Sequence, residues 1–291
     1  IVLYETKNMI SEIEDFVFKN NLDIKMSLTD TQIERYARHI LLPEIGGAGQ
    51  AKLKNAKVLV VGAGGLGSPI IQYLAAAGVG TIGVVDDDVI DISNLQRQVI
   101  HKSAQIGVPK VVSAKTAIKE INPDVVVVEH KERLLHHNAK KLISSYDIIS
   151  DGCDNFATRF LIMDTCHLEK KTLVSGAILR FDGQLSVFKA YKDKKYGYPC
   201  YRCLFPEAPP KNMIPTCSEV GVLGALCGMI GSLQAAEIIK EITNYGDTLA
   251  GSLIIFDGLR TDFRKIKIKP DPECALCGKN ATIKDLSLHI P

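Results

Sequence analysis

Lys57 to Pro69 reads KVLVVGAGGLGSP, an apolar run that turns directly into a glycine-rich loop. Glycines at 62, 64 and 67 fit G-x-G-x-x-G. In that pattern the missing side chains let backbone N–H groups approach phosphate, and the following helix offers its positive end. The loop alone suits either a nicotinamide dinucleotide or ATP. The next strand, TIGVVD, ends at Asp86, and a carboxylate there matches the ribose hydroxyls of both.

Outward from this loop the chain alternates. VLVV predicts a strand, SPIIQYLAAAG a helix, TIGVVD a strand, PKVVSAKTAIKEI a helix, VVVVEH a strand, AKKLISSY a helix and DIIS a strand. Continuous apolar strands separated by helices predict a parallel sheet covered on both faces, hence a Rossmann-like doubly wound α/β fold. After Lys171 the rhythm changes to short strands, LVSGAI, GQLSVFKAY, SLIIFDG and FRKIKIK, the first two parted by a turn at Asp182 and Gly183. These extend the sheet in antiparallel fashion. Upstream, Met26 opens MSLTDTQIERYARHILL, in which Thr29 and Gln32 have capping-box spacing and Ile33, Tyr36, Ala37, Ile40 and Leu41 share one helical face. The expected divisions are an N-terminal extension without assigned role (1–25), a helical segment (26–56), a nucleotide-binding half (57–170) and a substrate-facing half (171–291).

The bulk properties narrow the classes. A formal net charge of +2 over 291 residues argues against a protein that coats nucleic acid. The stretch Val220 to Ala236 is nearly uncharged but rich in glycine and polar residues, which predicts a tightly packed buried helix rather than a membrane span. The first residues, IVLYETKNMI, lack the cationic flank of a secretory leader, so a cytoplasmic location is expected. The eight cysteines are then ligands or reduced thiols rather than a disulfide frame.

The residues beyond Asp86 separate the two nucleotides. DISNLQRQ brings Ser93, Asn94, Gln96 and Arg97 close behind the ribose acid, and Lys110 opens the next helix behind Pro109. Two cations beside the phosphates are unusual for hydride transfer, whereas phosphate-bond chemistry needs them against the charge that builds on the oxygens. The fourth parallel strand ends in SDGCDN, placing Asp151, Asp154 and Asn155 where open sheets bind ligands. Asp154 suits magnesium, while Asp151 shapes the turn. ATP is therefore the expected nucleotide.

Two C-x-x-C pairs, Cys200/Cys203 and Cys274/Cys277, can supply four thiolates to one tetrahedral zinc. Four protein ligands leave no open position, so this metal is structural. Cys217 lies just before a helix expected to begin near Glu219, a setting that can favour thiolate.

Together, RYARHILLPEIGGAGQ, GAGGLGSP, DDDVIDISNLQRQ, GVPK, DGCDN and the two C-x-x-C pairs resemble the MoeB/ThiF/HesA family of ubiquitin-activating-type adenylyltransferases. The wording of SLTDTQIERYARHILLPEIG, CYRCLF and TCSEVGVLG is most similar to the MoeB branch. The resemblance implies that Gly65 approaches the phosphates and Asp86 holds the ribose. Asn94, Arg97 and Lys110 would bind the triphosphate and Asp154 would organise Mg²⁺. Arg38 would reach into the ATP site of a second copy, which implies a homodimer. Cys217 matches the position where some relatives form a thioester or persulfide bond with their carrier. The implied reaction adenylates the Gly-Gly carboxylate of a ubiquitin-like sulfur carrier, MoaD-like or, alternatively, ThiS-like. No general base is needed, since that carboxylate is already ionised, and His39 and His101 are expected to be structural.

Overall fold

The computed structural model describes residues 28–192, 197–210 and 217–290, the side chains of Cys217 and Ser218 excepted. The expected extension at residues 1–25 lies outside the described residues. The chain opens with helices α1 (Asp30–Ile40) and α2 (Gly46–Asn55). Both halves of the Thr29/Gln32 capping box form at α1. Tyr36, Ala37 and Ile40 are buried with Ile33 packed against them, but Leu41 caps the helix and is exposed. The apolar face is one residue shorter than its spacing predicts.

The alternation then appears as expected: β1 (Lys57–Val61), α3 (Gly67–Ala76), β2 (Thr81–Val85), α4 (Lys110–Ile121), β3 (Val126–His130), α5 (His136–Ser144), β4 (Ile148–Asp151) and α6 (Phe156–Leu168). Strands β5 (Thr172–Leu179) and β6 (Asp182–Phe188) come next. Short helices α7 (Tyr201–Leu204) and α8 (Cys217–Val220) precede the long α9 (Gly224–Thr243), and β7 (Ser252–Asp257) and β8 (Asp262–Lys267) close the sheet. One eight-stranded sheet runs β3-β2-β1-β4-β5-β6-β7-β8. Neighbours from β3 to β5 pair in parallel, and those from β5 to β8 pair antiparallel.

Two local expectations are corrected. The β5–β6 turn is centred on Arg180 and Phe181, because Asp182 already pairs with Leu179 inside the ladder. Arg180 takes the left-handed backbone there, at φ 54°. Gly183 serves packing instead, since a Cβ on it would stand 2.7 Å from the Ile230 side chain of α9. The second correction concerns the apolar stretch from Val220. The chain breaks at Gly221, whose φ of 79° suits glycine, and α9 starts only at Gly224. Between them, Arg180 donates its N–H to the Gly221 carbonyl, and Leu223 donates to the Arg180 carbonyl, both at 3.3 Å.

The core has two sides. On one face Val58, Val60, Ile70, Leu74, Ile82 and Ile118 pack with Ile230 and Ile238 of α9; on the other, Leu59, Ile143, Ile149 and Ile162 pack together. Each such buried aliphatic side chain contributes roughly 1.5–3 kcal/mol. Helix α9 fits closely because Gly231 meets the Leu66 carbonyl, which a Cβ would approach to 2.6 Å. Among the described residues no helix is long and apolar enough to cross a membrane.

Candidate nucleotide site and cysteine cluster

β1 lies between β2 and β4, so chain order reverses across it and a crevice opens at the strands' carboxyl ends. The crevice holds about 560 Å³, within the usual range for ligand sites. Gly62, Gly64, Gly65, Asp86, Arg97 and Lys110 line it, and Asp154 and Asn155 line it from the β4 side. All eight are candidates that the sequence alone points to, and the fold gathers them from well-separated segments.

The loop owes its shape to close approach. Gly62 has φ 95°, and a Cβ on Gly67 would sit 1.9 Å from the Gly62 carbonyl. Gly67 therefore closes the loop without lining the crevice. A side chain at Gly65 would press on Cys227 Sγ at 3.1 Å and on Arg97 Cδ at 3.5 Å. Asp86 stands across from the loop, accepting the Ala63 N–H at 2.8 Å and the Asp88 N–H at 2.9 Å. Burial raises its pKa, opposed by Lys110 and these two N–H groups.

Lys110 is nearly buried, with its side chain only 6% exposed, and its ammonium contacts Asp88 at 2.9 Å. Arg97 bends back to donate from Nη1 to the Ser93 carbonyl at 3.0 Å. Ser93 and Asn94 do not line the crevice. Their side chains hold a turn: the Ser93 hydroxyl donates to Asp91 at 2.6 Å, and Asn94 Oδ1 accepts the Asp91 N–H at 3.2 Å. Gln96 also lies off the crevice, while its neighbour Gln98 is buried on the lining. Gln98 Oε1 has no hydrogen-bond partner among the described residues, as suits a group waiting for a ligand or water. Arg38 is exposed on α1 and does not line this crevice.

Asp151 is the turn-shaping residue. It is fully buried, pairs with Arg159 Nε at 3.0 Å, and accepts the Ser175 hydroxyl and the Cys153 N–H at 3.0 Å each. Asp154 instead turns an exposed carboxylate to the crevice. Sequence reasoning missed Asp88, Arg159 and Tyr201, which line the same space. The Arg159 signal was present as a lone cation following an acidic turn.

His101 is structural as expected. The Ala63 carbonyl, 3.0 Å from Nε2, can only accept, so Nε2 carries the proton and Nδ1 faces the Ser113 hydroxyl at 2.9 Å. His39 contacts the Gln50 amide at 3.2 Å. The Cys153 thiol lines the crevice too, but burial, reinforced by Asp151, pushes its pKa well up and leaves it unreactive. The backbone of Cys217 opens α8 rather than preceding a helix at Glu219; its side chain lies outside the described residues.

Cys200, Cys203, Cys274 and Cys277 come together despite their separation in the chain, with every sulfur within 4.8 Å of the others. The Cys200–Cys203, Cys200–Cys274 and Cys203–Cys277 sulfur distances are 3.8, 3.5 and 3.4 Å. Tetrahedral thiolates at about 2.3 Å from zinc would lie about 3.8 Å apart, so the set fits that ion. The Asp271 N–H points at Cys203 Sγ, 3.3 Å away. Gly278 permits the tight second knuckle, since a Cβ would meet the Cys274 carbonyl at 2.5 Å.

A glycine-rich loop, a ribose-facing acid and two cations at the reversal point of a doubly wound sheet define a nucleotide-binding protein. The particular kind follows from its relatives: the ThiF family model matches residues 36–276, and the chain belongs to the ThiF family. It is 44% identical to a sulfur carrier protein adenylyltransferase of Thermus thermophilus, over 90% of this chain and 96% of that one. It is 51% identical to the probable adenylyltransferase/sulfurtransferase MoeZ of Mycobacterium tuberculosis, over 84% of this chain but only 62% of MoeZ. The chain thus spans less than two thirds of that second relative. By this kinship the protein is an adenylyltransferase. A crystal structure of Escherichia coli MccB with ATP shares the fold at a TM-score of 0.73 and 22% identity, covering 84% of this chain and 74% of MccB.

Proposed function

We propose that the protein uses ATP to adenylate the C-terminal Gly-Gly carboxylate of a MoaD-like sulfur carrier, releasing pyrophosphate. The observation that carries this reading is the convergence of the Gly62–Gly67 loop, Lys110, Arg97 and Asp154 on one crevice. The carboxylate attacks the α-phosphate, and the bond to the pyrophosphate leaving group breaks. An anion must approach an anion, so the loop N–H groups and the two cations lower the barrier by offsetting charge and fixing the approach. The carrier carboxylate is ionised at neutral pH, and no lining residue has to remove a proton from it.

Asp154 offers an oxygen ligand of the kind Mg²⁺ takes, and that ion would neutralise charge on the phosphates. Zn²⁺ held by the four cysteines would serve structure, since the set is closed. In this reading residues 57–170 form the ATP half, residues 171–291 receive the carrier, and residues 26–56 carry Arg38 to the site of a second copy. The exposure of Arg38 away from its own crevice supports that arrangement. The names of the relatives point to a sulfur carrier without separating a MoaD-like from a ThiS-like one. Carrier-dependent ATP–pyrophosphate exchange with each carrier separately is the test. Exchange with the MoaD-like carrier alone supports the reading; exchange with the ThiS-like carrier alone moves the substrate to the second. Exchange with neither, in folded ATP-binding protein, refutes it.

A further inference from the structure

Asp154 must present its carboxylate from a short loop, Gly152 to Asn155, between β4 and α6. Three contacts hold the loop from beneath. Asp151 at its start pairs with Arg159, one turn into α6, so a buried ion pair spans it. The same guanidinium donates from Nη2 to the Cys153 carbonyl at 3.0 Å and to the Gly176 carbonyl on β5 at 3.3 Å. Asn155 closes the far end by accepting the Thr158 N–H at 2.9 Å.

Asp151 is itself fixed in place. Ser175 of β5 donates to its carboxylate, and Gln234 of α9 donates to its carbonyl at 2.9 Å. On the crevice side Tyr201 lies within hydrogen-bonding reach of Arg159 and stacks edge-on against Phe160, 5.3 Å between ring centres. Arg159 is thus tied to β4, the loop after it, β5 and the segment between Cys200 and Cys203. A surface ion pair would contribute little, but this one sits at a 0% exposed carboxylate, where losing one partner strands a buried charge.

We infer that Arg159 is a positioning residue for adenylation: clamped to Asp151, it sets the Gly152–Asn155 loop so that Asp154 meets the phosphates in register. The inference rests on the adenylation reading for its kinetic consequence, but not for its structural one. A lysine at position 159 keeps the charge yet cannot span Asp151 and both carbonyls with a planar fork.

The test compares wild-type protein with Arg159→Lys and with Ser175→Ala, which removes one Asp151 contact without changing charge. Amide hydrogen exchange is followed across residues 151–159, beside kcat, ATP affinity and the thermal midpoint. Arg159→Lys is expected to speed exchange at Gly152 to Asn155 and to lower kcat about tenfold or more, as a small misplacement does, while the Kd for ATP changes less than threefold. Ser175→Ala should show both effects in smaller measure and stands in if the arginine variant does not fold. Unchanged loop exchange overturns the inference whatever the activity. So does an ATP Kd that rises in step with the loss of kcat/KM, because Arg159 would then be a direct ligand. If wild-type protein shows no carrier-dependent exchange but the loop responds as expected, the positioning role stands and the substrate reading falls.

Discussion

The ammonium of Lys110 stands 2.9 Å from Asp88, and the Lys110 N–H also donates to the Asp88 carbonyl at 3.0 Å. Lysine and acid form one unit across the mouth of the crevice, with Lys110 almost buried and the Asp88 side chain 67% exposed. A triphosphate entering the crevice competes with an anion already in place.

Asp88→Asn keeps an acceptor for Lys110 but removes the charge. The expected result is tighter ATP binding by about two- to fivefold at low salt, the worth of a half-exposed pair, fading as salt is added. Titration calorimetry at two salt concentrations measures it. Weaker binding in Asp88→Asn would mean that Asp88 aims Lys110 rather than competing for it.

Arg38 and Asp154 should act on one site from two chains. Arg38→Ala and Asp154→Ala are each expected to lose about a hundredfold or more in exchange rate, as when a charge stabiliser is removed. Both residues are exposed, so the thermal midpoint should hold. Mixed dimers of the two variants contain one intact composite site and should recover a sizeable fraction of activity. Demonstrably mixed dimers without recovery would place Arg38 outside the reaction.

Burial holds His101 below its usual 6.5, with Lys110 adding to the shift, and burial lowers His130 as well. A base with a depressed folded pKa binds fewer protons folded than unfolded. The stability linked to it is therefore fully present above about pH 6.5 and is lost as pH falls from there toward the folded pKa. The slope approaches about 1.4 kcal/mol per pH unit for each such histidine. Urea unfolding between pH 5 and 7.5 should show falling stability on acidification, with a shallower slope in His101→Gln. An unchanged slope would show that His101 titrates alike in both states.

Cys274→Ser should abolish tight metal binding, read by elemental analysis, and lower the thermal midpoint by several degrees. Tyr201 and Arg202 lie between two of the sulfur ligands. Arg202 forms a two-pronged pair with the buried Asp164 at 2.7 Å, and Tyr201 packs among Phe160, Phe188 and Phe205. Loss of metal should therefore spread into α6 rather than stay in the knuckle. A variant with full metal content would remove Cys274 from the ligand set.

The glycine pattern, the strand-end acids and the paired cysteines were legible because each depends on local rules. A strand running into a glycine turn must meet phosphate with backbone, and two cysteines at knuckle spacing must face one way. The DISNLQRQ segment shows the limit. All its polar residues looked equally fit for phosphate, yet Ser93 and Asn94 spend their side chains on Asp91 while Arg97 and Gln98 reach the crevice. Hydrogen-bond competition within the turn decides between them, and that depends on backbone geometry.

Sequence alone was enough for the alternation of strands and helices, the nucleotide loop, the candidate ATP residues and the four sulfur ligands. It took the assembled fold to establish that Lys110 rests on Asp88, that Gly183 serves helix packing rather than a turn, and that Asp151, Arg159, Ser175 and Gln234 form one buried support beneath Asp154. Local preferences act over a few neighbouring residues and show as pattern. Ion pairs and close approaches between distant segments arise only once the sheet is assembled, when burial makes each unpaired charge costly enough to select its partner.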